Sequence, residues 1–448
     1  MYNMNSISKS KIAFITIAHE DYVDELCMKV SKDASDAVAS ERVQVEVLEQ
    51  PVTNYMNAQE VGQKVSAMGV DGVILFLGTW MECPNAMSVL REVEHLPVCL
   101  WGFPMFPHNG ALTSTGSYVA YTMFKGSMSR LGYRYVSVLG MPDSTDTVAE
   151  VNRFCIAAGV MQSMKRLRIG YFGYTSMGIY TGTFDHVLMR GKIGPEVVHY
   201  DSYSLIRRAE ALDDTNCTEP FSRLTQNKIR HDVTQNDLLK AARFTQALRD
   251  FCDKDGLHAV NVKCQYEFSK EYGFVMCVPL SLLAEYGIIS SCEGDMMCTV
   301  SMAILKLITG GIVAYGDSIN SVENTLKLSS CGFMPFSMGI PGKQEIRKFL
   351  PHPGFSGIQC SFVQRPERVT VMRLIEDVGD YHILYFTGQG LDTQLRQGYM
   401  PALDVRLDGS TADFLRHANG QHYAICYGDV SKEIQTYADL MGIKTIRV

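Results

Sequence analysis

Residues 11–18 (KIAFITIA) form an unbroken apolar run with β-branched members, the pattern of a strand buried on both faces. Residues 43–49 (VQVEVLE) alternate, 70–77 (VDGVILFL) form a second buried run, and 97–103 and 134–140 read as further strands. Helical spacing fills the gaps at 58–68, 85–94 and 117–131. Such alternation predicts an open, mainly parallel sheet with helices on both faces. The pattern restarts at 168–174 (RIGYFGY), with later strands at 258–264 and 287–293 and helices at 203–211, 236–252 and 295–309. Beyond 333 the texture changes. Short strands at 369–375, 382–388 and 422–428 alternate with Gly, Pro and Asp turns, and one helix at 430–441 is expected to close this region. The predicted fold is two doubly wound, Rossmann-like α/β domains, 1–165 and 166–332, then a C-terminal antiparallel β-rich, barrel-like domain, 333–448. No repeat or low-complexity linker interrupts them.

Composition narrows the function classes. Among 448 residues, 46% are apolar and 20% charged, a globular balance. The net charge of −7 argues against a nucleic-acid surface, which needs a basic face. No apolar run reaches 18 residues, so no membrane span is expected. The first apolar run lacks a small-residue cleavage site and is followed at once by His19, Glu20 and Asp21, so it reads as a strand rather than a signal peptide. Thirteen cysteines, an odd number without a CxxC pair, predict reduced thiols packed as small hydrophobes in a cytoplasmic protein.

Several chemistries are unsupported. There is no GxGxxG after the first strand, no GxxxxGK[ST], no GxSxG and no HExxH, so no nucleotide cofactor is expected. Two acids stand out by position. Glu293 follows the strand GIISSC and opens a helix, and Asp317 follows the next apolar stretch, GIVAYGD. Read as a standard crossover, both would lie at neighbouring carboxyl ends of one parallel sheet, where such sheets place ligands. The bland alternatives are a first-turn acid favoured by the helix dipole and a turn residue. Asp295 is a candidate supporting partner of the neighbouring site groups, a candidate substrate-hydroxyl contact, or a plain helix-start acid. Trp80, just past VILFLG, is a candidate aromatic platform for a ligand or a rim core residue. His19, at the end of the first strand, faces the same way, and Gln265 and Glu267, after VKC, are candidate hydroxyl contacts.

The stretches 262–311, 172–190 and GQHYAICYGD (420–429) resemble the L-fucose isomerase and L-arabinose isomerase family, as do GTWM (78–81) and 113–135. The resemblance runs through nearly the whole chain in motif order. It implies an aldose–ketose isomerase that uses manganese or another divalent ion and an ene-diol proton transfer. It implies that Glu293, Asp317 and His422 hold the metal, with the two carboxylates moving protons; His417 is a nearby rival to His422. Two carboxylates and an imidazole form an oxygen-rich set that suits Mn²⁺ better than a thiolate site. It implies too that Trp80 reaches a neighbouring subunit's site, hence a homo-oligomer, a trimer or hexamer. Many relatives have His-Cys-Gly where this chain has Ser330-Cys331-Gly332. Serine is a poor ligand for a divalent ion but a good hydroxyl partner, which favours the three-ligand arrangement of the fucose isomerase branch. The implied substrate is L-fucose, D-arabinose, L-arabinose or a C6-modified hexose such as sulfoquinovose. Non-catalytic alternatives are a sugar-binding protein and a regulatory paralogue without turnover.

Overall fold

The computed structural model describes residues 9–226 and 230–448; residues 1–8, ahead of the first apolar run, lie outside them. The chain divides into two compact units, Ile7–Ser163 with Lys432–Ile443, and Met164–Ser431 with Lys444–Val448.

The first unit is built on five parallel strands, Ser10–Ile17, Val43–Val47, Gly72–Leu77, Val98–Gly102 and Tyr135–Leu139, in the spatial order second, first, third, fourth, fifth. The apolar run 72–77 is buried at every position, as a central parallel strand requires. Its helices begin where local chemistry caps them: Asp24 accepts from the Cys27 amide and Asn54 from the Asn57 amide. The order reverses between the first and third strands, so their carboxyl ends flank a crevice. The C-terminal helix Ser431–Met441 was expected to close the β-rich domain. Residues 432–443 instead belong to this first unit, where Arg134 donates to the Met441 carbonyl at 3.0 Å.

The second unit repeats the winding with four parallel strands, Arg168–Phe172, Glu196–Tyr200, Ala259–Val262 and Ile289–Cys292, in the order fourth, third, first, second. It also holds a closed antiparallel barrel of six strands. Around the barrel run Arg368–Asp377, His422–Tyr427, Ala314–Val322, Thr325–Ser329, Ala402–Leu407 and Asp380–Leu391, which pairs back to Arg368–Asp377. Lys444–Arg447 adds to one edge of Asp380–Leu391 in parallel. The helix Met296–Thr309 is buried on nearly all sides and packs on both the parallel sheet and the barrel, with Ser301 Oγ accepting the Leu374 amide at 2.7 Å.

One expectation needs correction. Residues 314–329 belong to the barrel and not to the parallel sheet. The strand Ala314–Val322 is buried at one end and exposed at the other, and its hairpin turns at Glu323 and Asn324, both at positive φ (48° and 60°). That is the backbone of a tight two-residue hairpin, not of a crossover. No helix among the described residues is long and apolar enough to cross a membrane, and all thirteen cysteines are free.

Candidate active site

The second unit gathers its ionisable groups where the strand Ile289–Cys292 ends. Glu293 and Gly294 both have φ of 67°, so the chain leaves the strand in a left-handed turn. A glutamate held there is uncommon, and such outliers concentrate at functional sites. The turn is fixed by hydrogen bonds: the Gly294 amide donates to Asn261 Oδ1 at 2.9 Å and the Ser176 amide to the Glu293 carbonyl at 2.9 Å. A Cβ at Gly294 would lie 2.5 Å from the Tyr174 carbonyl oxygen, so glycine is required by the close approach as well as by φ. Asp295 then caps the helix Met296–Thr309, accepting from the Cys298 amide at 2.9 Å.

Barrel register brings the other groups. Asp317 and His422 are direct cross-strand partners on adjacent antiparallel strands. His422 is fully buried, with Tyr315 edge-on to its ring at 5.4 Å. Its Nδ1 lies 2.9 Å from Asp295 Oδ2, while its Nε2 lies 3.2 Å from both Glu293 Oε2 and Asp317 Oδ1. Thus Glu293, Asp317 and His422 converge, but through cross-strand pairing and not by the crossover that their spacing suggested. Burial works against charging His422, yet Asp317, Glu293 and Asp295 together hold its pKa well above the usual range. Burial likewise opposes ionisation of Asp295, and the Arg373 guanidinium and His422 overcome it, leaving its pKa at about 2. Asp295 is therefore a carboxylate acceptor, so His422 Nδ1 carries the proton. Nε2 makes no well-aligned hydrogen bond and faces the two carboxylate oxygens at ion-pair distance. Among the described residues no group of three or more His, Cys, Asp and Glu side chains is spaced as a ready metal shell; here the two carboxylates lean directly toward the imidazole.

The other candidates divide. Gln265 is buried beside the cluster, accepts from Ser176 Oγ at 2.9 Å and donates to Glu293. Glu267 opens the helical turn Glu267–Tyr272 and pairs with Lys263 at 2.7 Å through Oε1, while its other carboxylate oxygen is buried without a hydrogen bond. The Ser330 hydroxyl is buried and donates to the Phe333 carbonyl, so it is not presented to a sugar. Its neighbour Cys331 reaches the cluster instead, with Sγ 3.4 Å from Glu293 Oε1. His417 is exposed at the end of the helix Thr411–His417. In the first unit, His19 and Trp80 stand together at the switch point of that unit's sheet, their rings 5.8 Å apart. The His19 amide donates to Thr79 Oγ1 at 2.8 Å, and His19 Nε2 lies 3.4 Å from Glu82 Oε1.

A sulfoquinovose isomerase from Alkalicoccus urumqiensis is 23% identical over 365 residues, covering 79% of this chain and 81% of that protein. One from Priestia megaterium is 22% identical over 405 residues, covering 89% and 90%. One from Clostridium sp. is 26% identical over 372 residues, covering 80% and 82%. This chain is a distant homologue of the sulfoquinovose isomerases. No protein-family model matches it. An ABC-transporter solute-binding protein from Agrobacterium vitis with bound D-fucose is 12% identical and covers 68% of this chain and 91% of that one, but its TM-score of 0.18 carries no inference. The motif resemblance pointed to the L-fucose and L-arabinose isomerases, with sulfoquinovose among the implied substrates; these three relatives are named for sulfoquinovose.

Arg373, absent from the sequence reading, completes the cluster. It is fully buried and pairs with Asp295, Nη1 to Oδ2 at 2.9 Å. The signal was present in VTVMRLI, one cation inside an otherwise apolar strand.

Proposed function

We propose that this protein is a metal-dependent aldose–ketose isomerase acting on an open-chain sugar, with a C6-modified hexose such as sulfoquinovose as the favoured substrate. The observation that carries the reading is the fully buried imidazole of His422, whose Nε2 faces two carboxylate oxygens, each at 3.2 Å. The donor set fits a divalent ion, because imidazole and carboxylate ligands suit manganese and its neighbours. The charges fit as well. Three carboxylates, Glu293, Asp295 and Asp317, stand against the single fixed positive charge of Arg373, so a divalent cation that displaces the Nε2 proton of His422 would bring the cluster to neutrality.

Glu293, Asp317 and His422 would hold the ion. The chemistry it supplies when bound is Lewis-acid polarisation of the sugar carbonyl. The chain's own carboxylates do the rest. One takes the proton from C2 of the aldose and returns it to C1, while the other moves the hydroxyl proton from O2 to O1, so that the ene-diol collapses to the ketose with no net loss of atoms or charge. Gln265, hydrogen-bonded to Glu293, holds that carboxylate in place.

The test is an assay of sulfoquinovose and a panel of aldoses with Mn²⁺ and after exhaustive chelation. Chelated protein is expected to lose turnover and to melt at lower temperature, since a ligand bound only by the folded state at about 100 times its Kd stabilises by roughly 2.7 kcal/mol. Turnover unchanged by chelation removes the metal from this reading; metal-dependent stabilisation without turnover on any sugar favours a binding protein. Trp80 and His19 lie in the other compact unit, and we propose that they serve a site completed by a neighbouring subunit. A homo-oligomer is then expected by light scattering at assay concentrations, and a fully active monomer refutes it.

A further inference from the structure

We propose that Arg373 is the positioning residue that decides which nitrogen of His422 faces the ligand-binding side of the cluster. A guanidinium has five N–H donors in a rigid plane, and Arg373 uses five contacts to join three separate segments. Nε donates to the Asn419 carbonyl at 2.7 Å. Nη1 donates to Asp295 Oδ2 at 2.9 Å and to the carbonyl of His422 itself at 2.7 Å. Nη2 donates to the Thr181 carbonyl at 2.7 Å and reaches Asp295 Oδ1 at 3.4 Å.

Two of these contacts bear on the imidazole. The guanidinium grips the backbone of His422 and, through the same nitrogen, the carboxylate oxygen that accepts from His422 Nδ1. The ring is therefore held at its backbone and at one nitrogen, which leaves Nε2 as the nitrogen turned toward Glu293 and Asp317. The surrounding chain is shaped to admit this plane. A Cβ at Gly420, which has φ of 102°, would lie 2.6 Å from the guanidinium, and a Cβ at Gly182 would lie 2.9 Å from the Asp295 Cα. Both glycines are adjacent to carbonyls or side chains that Arg373 engages, so loop sequence and guanidinium are matched.

Only the consequence for metal binding and turnover rests on reading His422 as a ligand; the placement of the Nδ1 proton does not. The experiment uses the full-length protein labelled with ¹⁵N-histidine, with the His422 resonances assigned by their loss in His422→Gln. Wild type is expected to show one imidazole with a solvent-protected Nδ1–H. Arg373→Lys and Gly420→Ala are expected to lose that protection, and Mn²⁺ affinity by titration calorimetry should fall by about 10–100-fold, the range for groups that orient a metal-bound histidine. Arg373→Lys, which keeps the charge, should retain more affinity than Arg373→Gln. If Arg373→Lys does not fold, Gly420→Ala gives the same readout with the guanidinium present but displaced. A His422 Nδ1–H signal unchanged in the variants, with only melting temperature lowered, makes Arg373 a structural brace and overturns the proposal. Wild type inactive on every sugar, with the signal still lost in the variants, refutes the isomerase reading and leaves this one standing.

Discussion

Glu293→Gln and Asp317→Asn, assayed at saturating Mn²⁺, are each expected to lose about 10²–10⁴-fold in kcat, the usual range for removing a group that transfers a proton. The amide keeps the shape of the side chain and cannot take a proton from carbon or move one between oxygens. Saturating metal separates lost proton transfer from lost occupancy, since both residues face His422 Nε2 at 3.2 Å. The double variant should lose far less than the product of the single losses, because the two carboxylates serve one proton path. Near-native turnover in either single variant, with metal shown to be bound, removes that residue from the chemistry.

The largest stability effect is expected at Arg373. Arg373→Met should destabilise the unit that holds the barrel by about 3–5 kcal/mol, because it leaves Asp295 as an uncompensated buried charge. The double variant Asp295→Leu with Arg373→Met should recover part of that loss, since removing both charges avoids the unpaired one. Denaturant midpoints of the transition assigned to that unit provide the check. Equal midpoints for the single and double variants would show that the backbone carbonyls of Thr181, Asn419 and His422, and not Asp295, are what the guanidinium satisfies.

The parallel sheets were legible because their strands are continuous apolar runs with helical spacing between them, a signal local to each segment. Half of the barrel strands were legible for a similar reason, in VTVMRLI, HILYFTG and HYAICYG. The hairpin 314–329 was not, because its outer half reads SINSV and its turn is Glu-Asn rather than a glycine pair. That error propagated to Asp317, whose place beside His422 depends on pairing between strands more than a hundred residues apart, which no local pattern encodes. Glu293 was visible as a strand-end acid, but its left-handed backbone was not, since nothing in its own identity announces a positive φ. In the loop after the hairpin the reading was off by one side chain: Ser330 turns inward to Phe333 and Cys331 faces Glu293. Arg373 was overlooked because a charge in a buried strand invites suspicion only once its partner is known, and Asp295 lies 78 positions away.

The chain leaves the second unit after Ser431, supplies a helix to the first, and returns with Lys444–Arg447 to the edge of the barrel. On a ribosome, the five-stranded sheet emerges early but waits for its last helix until every strand of the barrel wall has been made, and the barrel edge waits longer still. Domains that are continuous in sequence can mature one after another during synthesis; here both must finish afterwards, together. A premature stop before residue 432 would therefore leave two unfinished units, one short of a helix and the other short of a strand.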